Sequence, residues 1–429
     1  MVLDAFTPAA ASLLEGPDWL RAERAGAAER FAATELPTES DEIWRYSRVG
    51  RLDLGRYRPV AAPAPGDLPA ELSDVVARAG EHSACVVVRD GRVVMVRCDP
   101  SLADRGLLVT DGVAGDVDPA SPDGRGLDPP EPAARDAFTE LNTAFLGAGV
   151  VVSVPAGMVV PHPVLVLHWV SADGAAVFPR TFVRCGPDSQ ATVVEHHGSA
   201  DVDAFVDPLV RLEVEDAARL RYLNVQDLGP RVHQIGYQWS RVGRDASLGS
   251  SVVAVGGDYA RLRTDSCIDG KGGSTRLDAA YFADGNRMHD FRTVQDHAAA
   301  ASNSDLLFKG AVQDQARSVY SGLIRVRKEA PGTNAFQTNR NLVLSDGAGA
   351  ESVPNLEIET DDVRCSHASA VGPINEEQRY YLEARGIPPQ VAERLIVVGF
   401  LSEVLDRLPT PALVAGLRSA IARRLATRR

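Results

Sequence analysis

Leu248–Val255 (LGSSVVAV), Ala260–Cys267 (ARLRTDSC), Ser274–Phe282 (STRLDAAYF) and Met288–Val294 (MHDFRTV) follow one another with only short Gly-, Asp- and Asn-containing joints between them. None carries the 3.6-residue period of a helix; each reads as a short strand. Similar runs occur at Ala191–Glu195, Leu209–Val214, Arg219–Val225 and Val232–Tyr237. They continue through Asp305–Val312, Ser318–Val326, Asn334–Leu344 and Val353–Ile358. A spacing of roughly 10 to 14 residues over such a length suits a sandwich, a barrel or a parallel β-helix. Two cues lean toward the β-helix. The joints lack tight two-residue Asn-Gly turns, and Asn339 and Asn341 share a strand face from which they could join polar ladders along a solenoid. No strict short repeat is visible.

Working outward, the texture changes at both ends. Residues 1 to about 60 read as helical, with a charged, alanine-rich helix from Asp18 to about Ala33, and Trp44 and Tyr46 as anchors of a small cap. A Pro/Ala/Gly linker at Ala61–Gly66 precedes a short helix near Glu71–Ala79. Cys85–Val88 and Val93–Val96 flank Asp90-Gly91, a hairpin signal. Residues 111–133 read as an exposed loop, and Asp136–Leu146 as one more helix. After Gly372 the period is helical: Asn375 opens a helix that stops at Gly386, and Pro388-Pro389 starts the next. Val391, Leu395, Val398, Leu401, Leu405 and Leu408 form its apolar stripe, and Leu413, Leu417, Ile421 and Leu425 form a third. This tail is too small to bury its faces alone, so it should dock on the strand core, bind a partner, or both. The expected organisation is an N-terminal helical and mixed region (1–148), a strand core (149–370) and a C-terminal helical domain (371–429).

The bulk numbers exclude several classes. The chain has 429 residues, 24% charged, with a formal net charge of -13. So acidic a surface disfavours nucleic acid and anionic lipid. Five scattered cysteines, without a CxxC pair, fit reduced thiols better than a disulfide framework. No secretory signal is read at Met1–Ala5, and a cytoplasmic location is expected. Leu146–Val170 has no charged residue, but Pro155, Pro161 and Pro163 interrupt it and its valines favour buried strands over a membrane helix. Gly270-Lys271-Gly272-Gly273-Ser274-Thr275 lacks the Lys-Ser/Thr adjacency of a phosphate loop, so ATP binding by this chain is not expected.

Among candidate metal donors, His196-His197 on a strand would face opposite ways. His289 and His297 share parity, but a turn is expected between them. The sharper pair is Cys365 and His367, in Asp361-Asp362-Val363-Arg364-Cys365-Ser366-His367. Positions two apart on a strand put thiol and imidazole on one face, a donor set for iron, zinc or an iron–sulfur species. Two residues cannot complete a four-ligand site.

The segment Pro354–Phe400, with Pro-Asn-Leu-Glu-Ile before the Cys-Ser-His and Tyr380-Tyr381-Leu382-Glu383-Ala384-Arg385-Gly386 and Gly-Phe-Leu after it, resembles the SufB/SufD family of iron–sulfur cluster assembly proteins. Within the family the chain is most similar to the SufD branch. Ala368 stands where SufB-like chains carry Glu, the chain is shorter, and Asn334–Leu344 lacks their late-strand cysteine. The resemblance implies a mainly β fold with a right-handed parallel β-helix core between helical regions. It implies a scaffold rather than an enzyme, with no tightly bound cofactor of its own and a transient iron or iron–sulfur cluster held in a complex. His367, with Cys365 less securely, would contribute at an interface with a SufB-like paralogue. Arg385, Gly386, Gly399 and Phe400 would mark the surface for a SufC-like ABC ATPase. A homodimer is a further possibility. The rival readings are a β-solenoid enzyme acting on a polysaccharide and a purely structural binding module. The first would need clustered carboxylates, and Asp361 and Asp362, being adjacent, face apart.

Overall fold

Strand segments that alternate in burial but cannot form tight hairpins have one economical solution: each crosses to a second sheet and returns one layer on. The computed structural model, which describes residues 4–60, 62, 69–113 and 135–426, has this arrangement. From Ser247–Ala254 onward, successive strands fall alternately in two sheets, and each pairs in parallel with the strand two along the chain. The register advances by between 26 residues (His233 to Tyr259) and 32 residues (Arg317 to Gly349) per coil. The result is a β-solenoid of about eight turns, with 44% of the chain in strand and 23% in helix. A right-handed sense is what twisted strands of L-residues select for parallel crossovers.

The N-terminal region contributes to the solenoid as well as capping it. Ala84–Arg89 and Arg92–Cys98 form the expected antiparallel hairpin, and the first of these pairs in parallel with Val164–Val170. Its turn has φ 46° at Asp90 and 75° at Gly91, a turn that an aspartate–glycine pair adopts readily. Ala148–Val154 and Val164–Val170 are strands buried at every position, which accounts for the uncharged stretch around them. No helix among the described residues is long and apolar enough to cross a membrane.

Inside the solenoid the two sheets face each other. Valine, leucine and alanine fill the early coils, including Val152, Val183, Val193, Leu212 and Leu248. Later coils carry polar residues that satisfy one another. Tyr281 donates to Asn341 (2.6 Å), Asn341 donates to Asn339 (2.8 Å), and Asn339 donates to the Tyr281 oxygen (3.2 Å). Asn339 and Asn341 therefore occupy the interior ladder that their parity suggested. Gly310 sits beside Tyr281 in register, and a Cβ there would fall 1.9 Å from the tyrosine ring.

The outer face of one sheet is covered by the C-terminal helices Pro389–Leu405 and Pro411–Ala426, which bury Val397, Leu401, Val404, Leu413 and Ile421 against Leu167, Val194, Val225 and Val253. Here the expected stripe holds in part: Leu401, Leu405 and Leu408 are buried, but Leu395 is 49% exposed, and Ala392, Val397 and Val404, outside the stripe, are buried. The helix is apolar on more than one side, so periodicity alone did not select the docked face. Lys309, buried, donates to the Phe400 carbonyl (3.1 Å) and pairs with Glu403, while Arg407 reaches Asp278 and Asp305 at 3.3 Å each. The helix Asp18–Ala33 and the turn at Glu42–Trp44 cover part of the other sheet. The second half of the region expected to be helical is three single 3₁₀ turns rather than helix. Most of the loop expected at 111–133, and most of the linker at 61–66, lie outside the described residues.

Candidate functional site

The last strand of the solenoid, Val363–Gly372, carries Cys365 and His367. Cys365 is in register with Ala335 and His367 with Gln337, both buried residues of the penultimate strand in the same sheet. Cys365 and His367 therefore share the face that lines the solenoid interior one coil earlier. Cys365 is partly covered and packs against Ile324, Val326, Ala330 and Ala335, and burial raises its thiol above the ordinary value. His367 is exposed.

What exposes His367 is the end of the stack. Gly349–Ile358 and Val363–Gly372 are the terminal strands of the two sheets, and each leaves one edge unpaired. Val353 (37%), Leu356 (38%), Ile358 (41%) and Val371 (45%) stand exposed on them. Open strand edges with apolar side chains are templates for another chain.

The four residues expected at a second surface are spread over the tail. Arg385 and Gly386 are exposed after the helix Glu376–Glu383; the Arg385 guanidinium lies 4.4 Å from the Tyr381 ring centroid, and Gly386 has φ 83°. Gly399 is exposed on the helix Pro389–Leu405 and leaves open space around it. Phe400 is half-buried, with the Lys309 ammonium 4.3 Å from its ring centroid. Tyr380 (73%) and Tyr381 (56%) are exposed nearby.

The other histidines resolve differently. His289 and His297 lie on one unbroken strand, Met288–His297, so the expected turn between them is absent. His297 is satisfied by Ser302 (2.8 Å) and Ser304 (2.9 Å), and burial pushes it down to about 4. His196 and His197 do face opposite ways, His197 inward. Sequence reading missed what His197 meets there. His168 is its register partner one coil earlier, and Glu195 lies two residues before it on the same face. His168 Nε2–H donates to Glu195 at 2.7 Å; Thr181 (2.8 Å) and Tyr222 (2.6 Å) donate to the same carboxylate. The available signal was the 29-residue separation of His168 and His197, one coil length, legible only once the coil length is known.

The comparisons agree with this architecture. A family model described as the SufBD core domain of the SUF system for FeS cluster assembly matches residues 168–400. An iron–sulfur cluster assembly SufBD family protein of Mycobacterium tuberculosis is 33% identical over 398 residues, covering 91% of this chain and 89% of that protein. The iron–sulfur cluster assembly protein SufD of Escherichia coli is 28% identical, covering 92% of this chain and 91% of its own. SufD of Bacillus subtilis is 26% identical, with 95% and 94% covered. With the solenoid on which the matched residues lie, these likenesses make the chain a member of the SufBD family of iron–sulfur cluster assembly proteins.

Proposed function

We propose that this chain is a SufD-type scaffold subunit that pairs with a SufB-like paralogue through the open end of its solenoid and presents His367 to iron or a nascent cluster in that interface. The observation that carries the reading is the coincidence of three features on one terminal coil. The donor pair Cys365 and His367 lies there, both sheet edges are unpaired there, and apolar side chains stand exposed there. A site with two donors is incomplete alone, and a second subunit on the open edges would supply the rest. Neutral imidazole is a labile ligand, suited to a cargo that must leave.

The exposed side of the C-terminal helices, with Tyr380, Tyr381, Arg385 and Leu395, is the proposed dock for a SufC-like ATPase. ATP-driven pairing of two ATPase subunits would then shift the scaffold subunits and open the interface. The chain itself performs no catalysis in this scheme. A polysaccharide-cleaving solenoid is not favoured: three of the buried carboxylates, Glu195, Asp278 and Asp290, are each tied to cations, histidine or tyrosine inside the fold. The test is reconstitution. Mixed with the paralogue and the ATPase, the chain should co-elute with both and the complex should accumulate iron and sulfide without oxygen. Failure to co-elute with either would overturn the reading.

A further inference from the structure

We propose that His168, Glu195 and His197 form a binding site for one divalent first-row transition-metal cation, enclosed within the early coils of the solenoid and separate from the terminal coil. A donor atom from each residue lies within 4.8 Å of the others. The three are 4%, 1% and 0% exposed, so bulk water does not reach them. Yet both ring nitrogens of His197, and Nδ1 of His168, have no hydrogen-bond partner. A buried imidazole with neither nitrogen satisfied is costly, and nothing in the protein offsets that cost. A bound ion would.

The geometry suits one. The two rings are parallel, with centroids 4.4 Å apart and planes inclined by 6°, because their residues are in register on adjacent parallel strands. Two donors about 2.1 Å from one ion at the tetrahedral angle lie about 3.4 Å apart. His197 Nε2 and Glu195 Oε1 are 3.5 Å apart. His168 Nε2 and Glu195 Oε1, at 2.7 Å, share a proton, and exchanging that proton for a metal requires the pair to open by less than an ångström or so. The proton has somewhere to go, since His168 Nδ1 is free to take it. The two imidazoles then remain neutral and no proton leaves the site. A cavity of about 10 Å³, lined by Val88, His168, Val177, His197 and Val206, adjoins the rings, room for about one small occupant.

The surroundings agree. Thr181 and Tyr222 fix the carboxylate from behind, as partners of a metal ligand commonly do. Two imidazoles and one carboxylate, without thiolate, suit Zn²⁺ or Fe²⁺ rather than Mg²⁺ or Ca²⁺.

Because the site is enclosed, loading should accompany folding. The full chain is unfolded in guanidinium and refolded with one equivalent of Zn²⁺, or of Fe²⁺ without oxygen, then desalted and assayed for metal. One ion per chain is expected, retained through dialysis against EDTA and released on unfolding. X-ray absorption of the zinc form should show imidazole scattering and no sulfur shell. Glu195→Gln and His197→Gln should lose the ion at least about 10-fold faster, while a Cys365→Ser, His367→Ala double variant should keep it. Metal-free wild-type protein after refolding, a sulfur-containing shell, or equal retention by Glu195→Gln and His197→Gln would overturn the proposal. If those two variants do not fold, the absorption spectrum of the wild type decides. The role of His367 stands or falls independently of this result.

Discussion

Asp290 shows how single side chains hold the cap to the solenoid. Fully buried, it accepts from Arg292 (2.6 Å), Arg261 (2.8 Å) and Tyr259 (2.9 Å). Those arginines also donate to the carbonyls of Ile43 (2.9 Å) and Arg45 (2.6 Å), and Arg261 lies 3.9 Å from the Trp44 ring centroid. Trp44 thus anchors the cap, as the sequence suggests, through charges that the sequence did not reveal, whereas Tyr46, the second expected anchor, is 45% exposed. Burial raises the Asp290 pKa, but the two guanidinium groups outweigh it and bring the carboxyl below its ordinary value. A depressed folded pKa stabilises above the unfolded value, near pH 4, and the contribution disappears as pH falls through the folded one. Asp290→Ala leaves two buried cations uncompensated and should cost about 3–5 kcal/mol, read from denaturant midpoints at pH 7. The loss should shrink below about pH 4. A variant within 1 kcal/mol of wild type at pH 7, by the scale of an exposed pair, would show that the network adds little. At this scale the candidate site was only half legible. Cys365 and His367 were readable because parity on one strand is local. The His168–His197 stack was not, because it depends on a coil length that no repeat advertises.

Among elements, legibility followed the strength of local signals. The Asp90-Gly91 hairpin, the helix from Asp18 and the Asn375 cap were all readable, since each depends on turn or capping chemistry within a few residues. The long strand through His289 and His297 was not, because solenoid coils keep strands straight for ten residues without a sequence mark. The helix Pro389–Leu405 was identified with only part of its docked face: Leu401 and Leu405 turn inward as expected, Leu395 turns outward, and Ala392, Val397 and Val404 join the buried side. That docking changes what a truncation would test. Removing everything after Gly372 uncovers Leu167, Val194, Val225 and Val253, so the remaining core should aggregate rather than report on a partner. The informative change is Leu395→Asp, on the exposed side. It should leave thermal stability within about 0.5 kcal/mol of wild type and weaken ATPase binding at least about tenfold, measured by calorimetry. Unchanged affinity would move the dock elsewhere on the tail.

For the whole molecule, the architecture is asymmetric along its axis. The first coils are closed by the antiparallel hairpin and by Leu108–Asp111, which pairs antiparallel with Ala148–Val154, while the last coil is open in both sheets. An acidic chain with one open end should associate through that end. Leu356→Arg places a charge beside Ile358 on the open end, one coil beyond the buried Ile324 with which Leu356 is in register; with no further coil stacked on it, the change should leave the strand circular dichroism signal in place and abolish co-elution with the paralogue. Retained co-elution would exclude the terminal coil as the interface. The central claim is that this open end, once partnered, holds iron or a cluster through His367. The most direct measurement is the iron and acid-labile sulfide content of the three-component complex, purified without oxygen, with wild-type chain and with His367→Ala. The account predicts an intact His367→Ala complex depleted in both elements; wild-type iron and sulfide in that complex would contradict it.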